Sequence, residues 1–530
     1  MMLRTTEQRM LHGVNDAIKR SIGPWGFVHL SWSRGYLLIV GLLVGIVVSG
    51  FSRELPRQLQ APFYWQSVRP QQLKLFNSGA ASFYQRINMI ERAQNTIEVE
   101  YFIYNLDQVG RIFTQKLVEA ALRGVSVRIL VDRSMPTFDF NRFYAYAASK
   151  HGIQVRYYNG ALAQHRNHRK LLVVDDKEAL TGGRNMAEEY FDLSPRYNLM
   201  DRDIWVTGEV VPVMRKTFDA FWKSKYSRVP KDPQKPRESH YLNGSDSPYD
   251  CDNNTYDHEC RQYHNAVKRW KKKLRLAQES MVANQDDEIL LDDILWNGEQ
   301  RSLDGLTHTC PTLTFISDAP GPKSRARVLR NHLLTLFNQA KQSILIDSPY
   351  FVPTTKIEEI LSQTIERGVE IRLLTNSSYS TDAIYVSAYT TFHHDSWAKM
   401  GIKSYLYRGE NQSLAESERL YKRDENKAPT RWGLHGKSMV VDNQISVVGT
   451  MNADGRSLNI NAELTLICHD NEQLAAELTN QIEYLMKNSD EINRKGRPVS
   501  GNSLFHKLPF WKRAAIFLLT IPSHLLYTLL

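Results

Sequence analysis

The stretch His168-Arg169-Lys170-Leu171-Leu172-Val173-Val174-Asp175, followed by Gly182-Gly183-Arg184-Asn185, returns later in the same chain. The second copy is His435-Gly436-Lys437-Ser438-Met439-Val440-Val441-Asp442, followed by Gly449-Thr450-Met451-Asn452. Both fit H-x-K-x4-D-x6-G-[GST]-x-N. At roughly one in twenty per fixed residue, a single chance match in a chain this long has a probability on the order of 10⁻⁴. A second match squares that figure, so the repetition is a property of the molecule.

The spacing carries chemistry. Leu171 to Val174 and Met439 to Val441 are short apolar runs rich in β-branched residues, so each motif begins on a buried strand. Side chains two apart on a strand share a face, which sets His168 beside Lys170 and His435 beside Lys437. A nucleophile or proton carrier next to a fixed positive charge is what a phosphodiester requires. The small residues Gly182-Gly183 and Gly449-Thr450 allow close backbone approach, and Asn185 and Asn452 can donate amide hydrogens to a phosphoryl oxygen. Two histidines on opposite sides of one phosphorus support a two-step route. One attacks, and the other protonates the leaving oxygen and then activates the incoming alcohol or water. The lysines and amides supply the charge stabilisation, so the reading calls for no metal and no cofactor.

Outward from the motifs, similarity continues between residues 75–228 and 313–490. Ala93 to Ile97 parallels Ala340 to Ile344, Tyr101-Phe102 parallels Tyr350-Phe351, and Gly152-Ile153 parallels Gly401-Ile402. Arg123 to Leu130 parallels Arg367 to Leu374. Residues 111–123 and 357–367 carry apolar side chains at helical spacing and run into Gly124 and Gly368, suited to end a helix. Strands alternating with helices predict an α/β fold. The expectation is two duplicated sandwich halves packed about a pseudo-two-fold axis, with both motifs at the interface.

The rest of the chain is read more coarsely. At 530 residues it exceeds one ordinary core, and its 42% hydrophobic and 23% charged content is that of a globular protein. The net charge of +10 suits an anionic partner, either nucleic acid or an anionic lipid surface. Residues 1–35 form a mixed N-terminal tail, and Tyr36 to Phe51 is uncharged and apolar. That segment predicts an uncleaved transmembrane anchor in preference to a cleaved signal peptide. A weak excess of Arg and Lys before it favours the catalytic part lying outside the cytoplasm. Residues 229–312 separate the halves as a polar insertion and linker, with Lys268 to Lys273 opening a basic helix. Cys251 and Cys260, near His258 and His264, admit a zinc site, but the irregular spacing favours loop thiols or one local disulfide. Asn411 to Thr430 is a charged loop placed to wall the site. The apolar tail at 491–530 is broken by Pro522 and His524 and reads as an interfacial helix or a segment packed on the domain.

The paired motifs resemble the HKD signature of the phospholipase D superfamily. Pro349-Tyr350-Phe351-Val352-Pro353 and Asn452-Ala453-Asp454-Gly455-Arg456-Ser457 resemble bacterial cardiolipin synthases. Gly182-Gly183-Arg184-Asn185 with Glu189-Tyr190-Phe191 is similar to the cardiolipin synthase C branch. The resemblance implies that His168, Lys170, Asp175, His435, Lys437 and Asp442 form the catalytic set, with His168 the nucleophile and His435 the acid and base. Asp175 and Asp442 are then expected to support the fold around the site. It also implies an acidic partner for each imidazole, crossed between halves: Glu463 for His168 and Asp203 for His435. The implied reaction moves a phosphatidyl group onto phosphatidylglycerol, from a second phosphatidylglycerol or from phosphatidylethanolamine, in a bacterial inner membrane with the catalytic part on the periplasmic side. The same histidines would release phosphatidic acid if water arrived first, so a phospholipase D hydrolase is the alternative. A nuclease is disfavoured by the apolar segments, and a scaffold without chemistry by the complete motifs.

Overall fold

Helix starts in this chain are marked by short polar side chains that return to the first free amides. Ser78, Asp107, Asn141 and Asn471 each accept from a backbone N–H inside the helix they open. The computed structural model describes residues 63–133, 140–158, 165–241, 251, 258–303, 305–321, 328–409, 430–501 and 504–527. The apolar segment 36–51, the tail before it and nearly all of the loop at 411–430 lie outside them. Among the described residues no helix is long and apolar enough to cross a membrane.

The first half runs β1 (Tyr64–Ser67), β2 (Gln71–Phe76), α1 (Gly79–Arg92), β3 (Thr96–Tyr101), α2 (Gln108–Leu122), β4 (Ser126–Asp132), α3 (Arg142–Lys150) and β5 (Gln154–Tyr158). It continues with β6 (Leu171–Val174), β7 (Glu178–Gly182), β8 (Tyr197–Met200), β9 (Asp203–Thr207), α4 (Val210–Trp222) and β10 (Ser227–Arg228). Between the halves lie α5 (His258–Glu279), which contains Lys268 to Lys273, then α6 (Gln285–Leu303) and β11 (Thr307–Cys310). The second half begins with β12 (Thr312–Ser317), α7 (Val328–Gln339), β13 (Ser343–Asp347), β14 (Phe351–Val352), α8 (Thr355–Glu366) and β15 (Glu370–Asn376). Next come α9 (Ile384–Thr390), α10 (His394–Met400), β16 (Lys403–Tyr407), β17 (Arg431–Leu434), β18 (Ser438–Val441) and β19 (Ile445–Gly449). It ends with β20 (Ala453–Asp454), α11 (Gly455–Asn459), β21 (Leu464–His469), α12 (Glu472–Lys487), β22 (Ser489–Glu491) and α13 (Phe510–Leu525).

Each half contributes a nine-stranded mixed sheet, and the two have the same order strand for strand. One reads β10-β5-β4-β3-β6-β7-β9-β2-β11 and the other β22-β16-β15-β13-β18-β19-β21-β12-β1. In both, three parallel strands continue into an antiparallel run that begins at the motif strand. The edge strands are exchanged. β1 pairs with β12 of the second sheet, Tyr64 opposite Ile316, while β11 pairs with β2 of the first, Thr307 opposite Lys74. Cys310 at the end of β11 is disulfide-bonded to Cys468 of β21, so a covalent link also joins the two sheets.

A central core fills the space between the sheets. Phe218, Phe221 and Trp222 of α4 and Leu474, Leu478 and Ile482 of α12 meet Leu73, Val206, Phe315 and Leu466 there. Outer cores lie on the far face of each sheet. The motif strands β6 and β18 are buried along their whole length, which explains their uninterrupted apolar runs.

Cys251 and Cys260, considered above as zinc ligands, are joined to each other in a disulfide. Glu238 lies close enough to complete a three-ligand group with them, but its carboxylate accepts from the Cys251 amide and both sulfurs are already spent.

Candidate active site

Each motif histidine enters the site through a backbone clasp with the opposite half. The His168 amide donates to the Ala462 carbonyl at 2.9 Å, and the His435 amide to the Met200 carbonyl at 2.7 Å. Around these bonds, Asn167 bridges Ala462, and β17 pairs in parallel with β8. The residue after each acceptor is an acid aimed back at the imidazole. His168 Nδ1 lies 2.9 Å from Glu463 Oε2 and 3.0 Å from Oε1. His435 Nδ1 lies 2.5 Å from Asp201 Oδ2.

The expected partner of His435, Asp203, is therefore corrected to Asp201. Asp203 is fully buried, but it faces Arg86 at 2.9 Å, Arg184 at 3.4 Å and the Ser82 hydroxyl at 2.6 Å. Alternation along a strand puts residues 201 and 203 on one face, so sequence period alone cannot separate them. The clasp register does separate them. Met200 and Ala462 play the same part, and so Asp201, like Glu463, is the next residue.

A carboxylate on Nδ1 sets each ring with Nδ1–H as donor and Nε2 as the basic nitrogen. Neither Nε2 takes a hydrogen bond among the described residues. Edge contacts hold the rings, Phe102 on His168 and Tyr190 on His435, each at 5.0 Å between centroids. Lys170 Nζ donates to its own motif's His168 carbonyl at 2.7 Å, and Lys437 Nζ donates to the His435 carbonyl and sits 2.8 Å from His435 Nδ1.

The charges of the two motifs act on one another. Burial lowers the His168 pKa well below its usual value, and Lys170, Lys437, His435 and Arg166 lower it further. His435 is lowered by burial and by Lys437, against the pull of Asp201. Burial brings Lys170 down to about 7 and raises Glu463 to about 7, each opposed by the charge of the other. Asp201 is held below the ordinary carboxylate range: burial pulls it up, but Lys437 and His435 outweigh that. Arg166 was missed from the sequence, although it lies two residues before His168 and so on the same face of the chain. Asp382 was also missed; it accepts from the Tyr350 hydroxyl at 2.8 Å and adds negative charge near His435 and Lys437.

The other expected site residues fall into two groups. Asp175 and Asp442 do not join the catalytic cluster. They occupy left-handed hairpin turns at the far ends of the motif strands, φ 54° and 52°, each followed by a second positive-φ residue. The carboxylate of Asp175 accepts from the amides of residues 94–96, and that of Asp442 from those of 341–343. An aspartate tolerates this backbone conformation and satisfies three amides at once, so the motif's acid pins the adjoining loop. Asn185 accepts from the Ile103 amide at 3.1 Å and bonds Tyr190. The Asn452 side chain bonds Asp454, and its buried carbonyl oxygen has no hydrogen-bond partner among the described residues.

Duplicated mixed sheets with a histidine–lysine pair facing inward from each define a phospholipase D-like core. The family described as "Cardiolipin synthase, PLD-like domain" matches residues 87–222 and 333–486, more than half of the chain, and the protein belongs to it. The chain is 24% identical over 501 residues to cardiolipin synthase C of Escherichia coli (strain K12), covering 88% of this chain and 98% of that one. It is 26% identical over 428 residues to an uncharacterized protein of Helicobacter pylori (strain ATCC 700392 / 26695), covering 76% of each. Among solved structures, phosphatidylserine synthase of Haemophilus influenzae Rd KW20 superposes with a TM-score of 0.59 at 14% identity, over 87% of this chain and 97% of that one. The likeness extends the shared fold across both halves, and the family supports a phospholipid-modifying enzyme.

Proposed function

We propose that this protein is a phosphatidyltransferase that forms cardiolipin from two phospholipids, phosphatidylglycerol being the acceptor. The observation that carries the reading is the pair of imidazoles braced at Nδ1 by acids from opposite halves. Each Nε2 is thereby left as the ring's free nitrogen, and the two motif lysines stand at the carbonyls of their own histidines. His168 attacks the phosphorus of a bound phosphatidylglycerol through Nε2. As the phosphorus–nitrogen bond forms, the bond to the headgroup glycerol breaks, and His435, which enters this step as the imidazolium with Asp201 on its Nδ1–H, gives its Nε2 proton to the departing oxygen. A second phosphatidylglycerol enters, His435 removes the proton from its terminal hydroxyl, and that oxygen displaces His168 from phosphorus. Lys170, Lys437, Asn185 and Asn452 are the groups available for the non-bridging oxygens. The lowered pKa of His168 keeps it neutral, and so nucleophilic, at physiological pH.

Two further features support a lipid substrate and a periplasmic site on a bacterial inner membrane. Phe510, Phe517, Leu518, Ile521 and Leu525 form an exposed apolar stripe along α13, with Trp511, Lys512 and Arg513 at its start. Cys251–Cys260 and Cys310–Cys468 are disulfides, which persist in oxidising compartments.

The test is purified protein with labelled phosphatidylglycerol in vesicles, compared with His168→Ala. Cardiolipin and free glycerol formed by the wild type alone support the transferase. Phosphatidate in place of cardiolipin assigns the alternative, a phospholipase D hydrolase. No turnover of either kind rejects both.

A further inference from the structure

The first half packs a buried charge network between α1 and its sheet. Arg86 reaches Asp203 at 2.9 Å and the Tyr101 hydroxyl at 3.0 Å, and Arg184 reaches Asp203 at 3.4 Å. The corresponding positions in the second half follow from register. Asp203 lies opposite Gly182 as Thr465 lies opposite Gly449. Arg184 precedes the motif asparagine as Met451 does. Arg86 stands seven residues before Ala93 as Leu333 stands before Ala340. Glu100 pairs the third residue after His168 as Asp347 pairs the third after His435, which matches Tyr101 with Ser348.

Two arginines, an aspartate and a tyrosine are thus replaced by Leu333, Met451, Thr465 and Ser348. All four line one cavity of about 100 Å³ between α7 and the second sheet. Its other walls include Phe337, Ile357 and Met439, and one wall is Lys437, whose ammonium lies against His435. The fold does not impose the hollow, because the same place in the first half is filled. An apolar space of this size is not stabilised by water, which needs polar partners.

We infer that this cavity receives a short stretch of one hydrocarbon chain of the phospholipid whose phosphate sits between the histidines. The inference rests on the lipid reading of the site and deepens it. The pocket shares Lys437 with the phosphate site, so a chain seated there fixes one lipid relative to the reacting phosphorus. Because among the described residues the hollow lies in the second half and the matching place in the first is filled, the two lipid substrates are held differently.

The experiment has a turnover arm and a binding arm, both with the full chain. Leu333→Trp and Leu361→Phe each fill the cavity, and both residues lie outside the catalytic cluster. Turnover is compared on dioleoyl phosphatidylglycerol and on water-soluble bis(p-nitrophenyl) phosphate. The expected result is a drop of roughly tenfold or more in kcat/KM for the lipid, with the soluble diester unchanged. Equal effects on both substrates, or none, in folded variants overturn the inference. The binding arm measures the melting temperature of wild type and Leu361→Phe with decyl phosphate, below its micelle concentration, or with inorganic phosphate. Decyl phosphate should stabilise the wild type more than phosphate does, and the filled variant should lose that difference. Equal stabilisation by the two anions, or an undiminished difference in the variant, overturns it. This arm needs no turnover. An inactive wild type that still prefers decyl phosphate would sink the proposed reaction and leave the pocket standing.

Discussion

The first and second halves share strand order, motif, hairpin aspartate and clasp, yet they differ behind the motif strand. The first half fills that space with Arg86, Arg184 and Asp203; the second leaves it apolar and partly empty. What is common to both halves is what the shared site needs from each of them. What differs lies on the outer face of each sheet, behind the motif strand. The comparison teaches that a duplicated site can have symmetric chemistry and asymmetric walls.

The chemical symmetry breaks most sharply at the histidines. His168→Ala and His435→Ala should each lower turnover by roughly 10⁶-fold, since each ring does work that the other cannot take over. The two losses should differ in kind. Quenched at alkaline pH, where a phosphohistidine survives, and given a phosphodiester whose p-nitrophenolate leaving group needs no proton, His435→Ala should retain phosphorus label on the protein, and His168→Ala should not. Label on both variants, or substantial activity in either, breaks the assignment of roles.

The neighbouring acids of the first half separate chemistry from support. Asp201→Asn should cost roughly 10⁴-fold in kcat with little change in melting temperature, because it alters the tautomer and charge of His435. Asp203→Asn leaves Arg86 and Arg184 buried without their carboxylate and should destabilise the fold by about 3–5 kcal/mol. Denaturant titration beside kinetics reads both, and the reverse pattern would restore Asp203 as the orienting acid.

The disulfides offer a comparison between a link across the two sheets and a local one in the insertion between the halves. Cys310–Cys468 joins the sheets across 158 residues, while Cys251–Cys260 closes a loop of 9. Loop entropy predicts losses of about 5 and about 2.5 kcal/mol on replacing each pair with serine. Urea unfolding of the two double variants tests that order.

The smallest effect is on pH dependence. The folded His168 pKa lies below the usual 6.5, so the ring remains neutral as pH falls through 6.5, and the acid limb of kcat/KM should lie lower. Arg166 is one of the charges lowering it, and Arg166→Gln should move that limb upward by up to about one unit. The depressed pKa values of His168 and His435 also make stability complete above 6.5 and lost as pH falls, because the unfolded chain then binds protons that the folded rings refuse. A limb unmoved by Arg166→Gln would remove that cation from the site.

Much of this was legible in the chain itself. Period-2 geometry placed His168 with Lys170 and His435 with Lys437, and the repetition implied two like halves with a common site. The resemblance supplied the crossed acids, and Glu463 lies against His168. Three things depended on contacts between residues far apart in sequence: the choice of Asp201 over Asp203, the exchange of β1 and β11, and the hollow behind Lys437. Alternation assigns a side chain to a face but not to a partner, and edge pairing depends on which sheet lies nearby. A cavity is a difference between volumes that only packing brings together. The sequence by itself determined the paired histidines and lysines and their duplication. The tertiary structure decided which acid meets which ring and where an alkyl chain has room, because those depend on register and packing across the two halves.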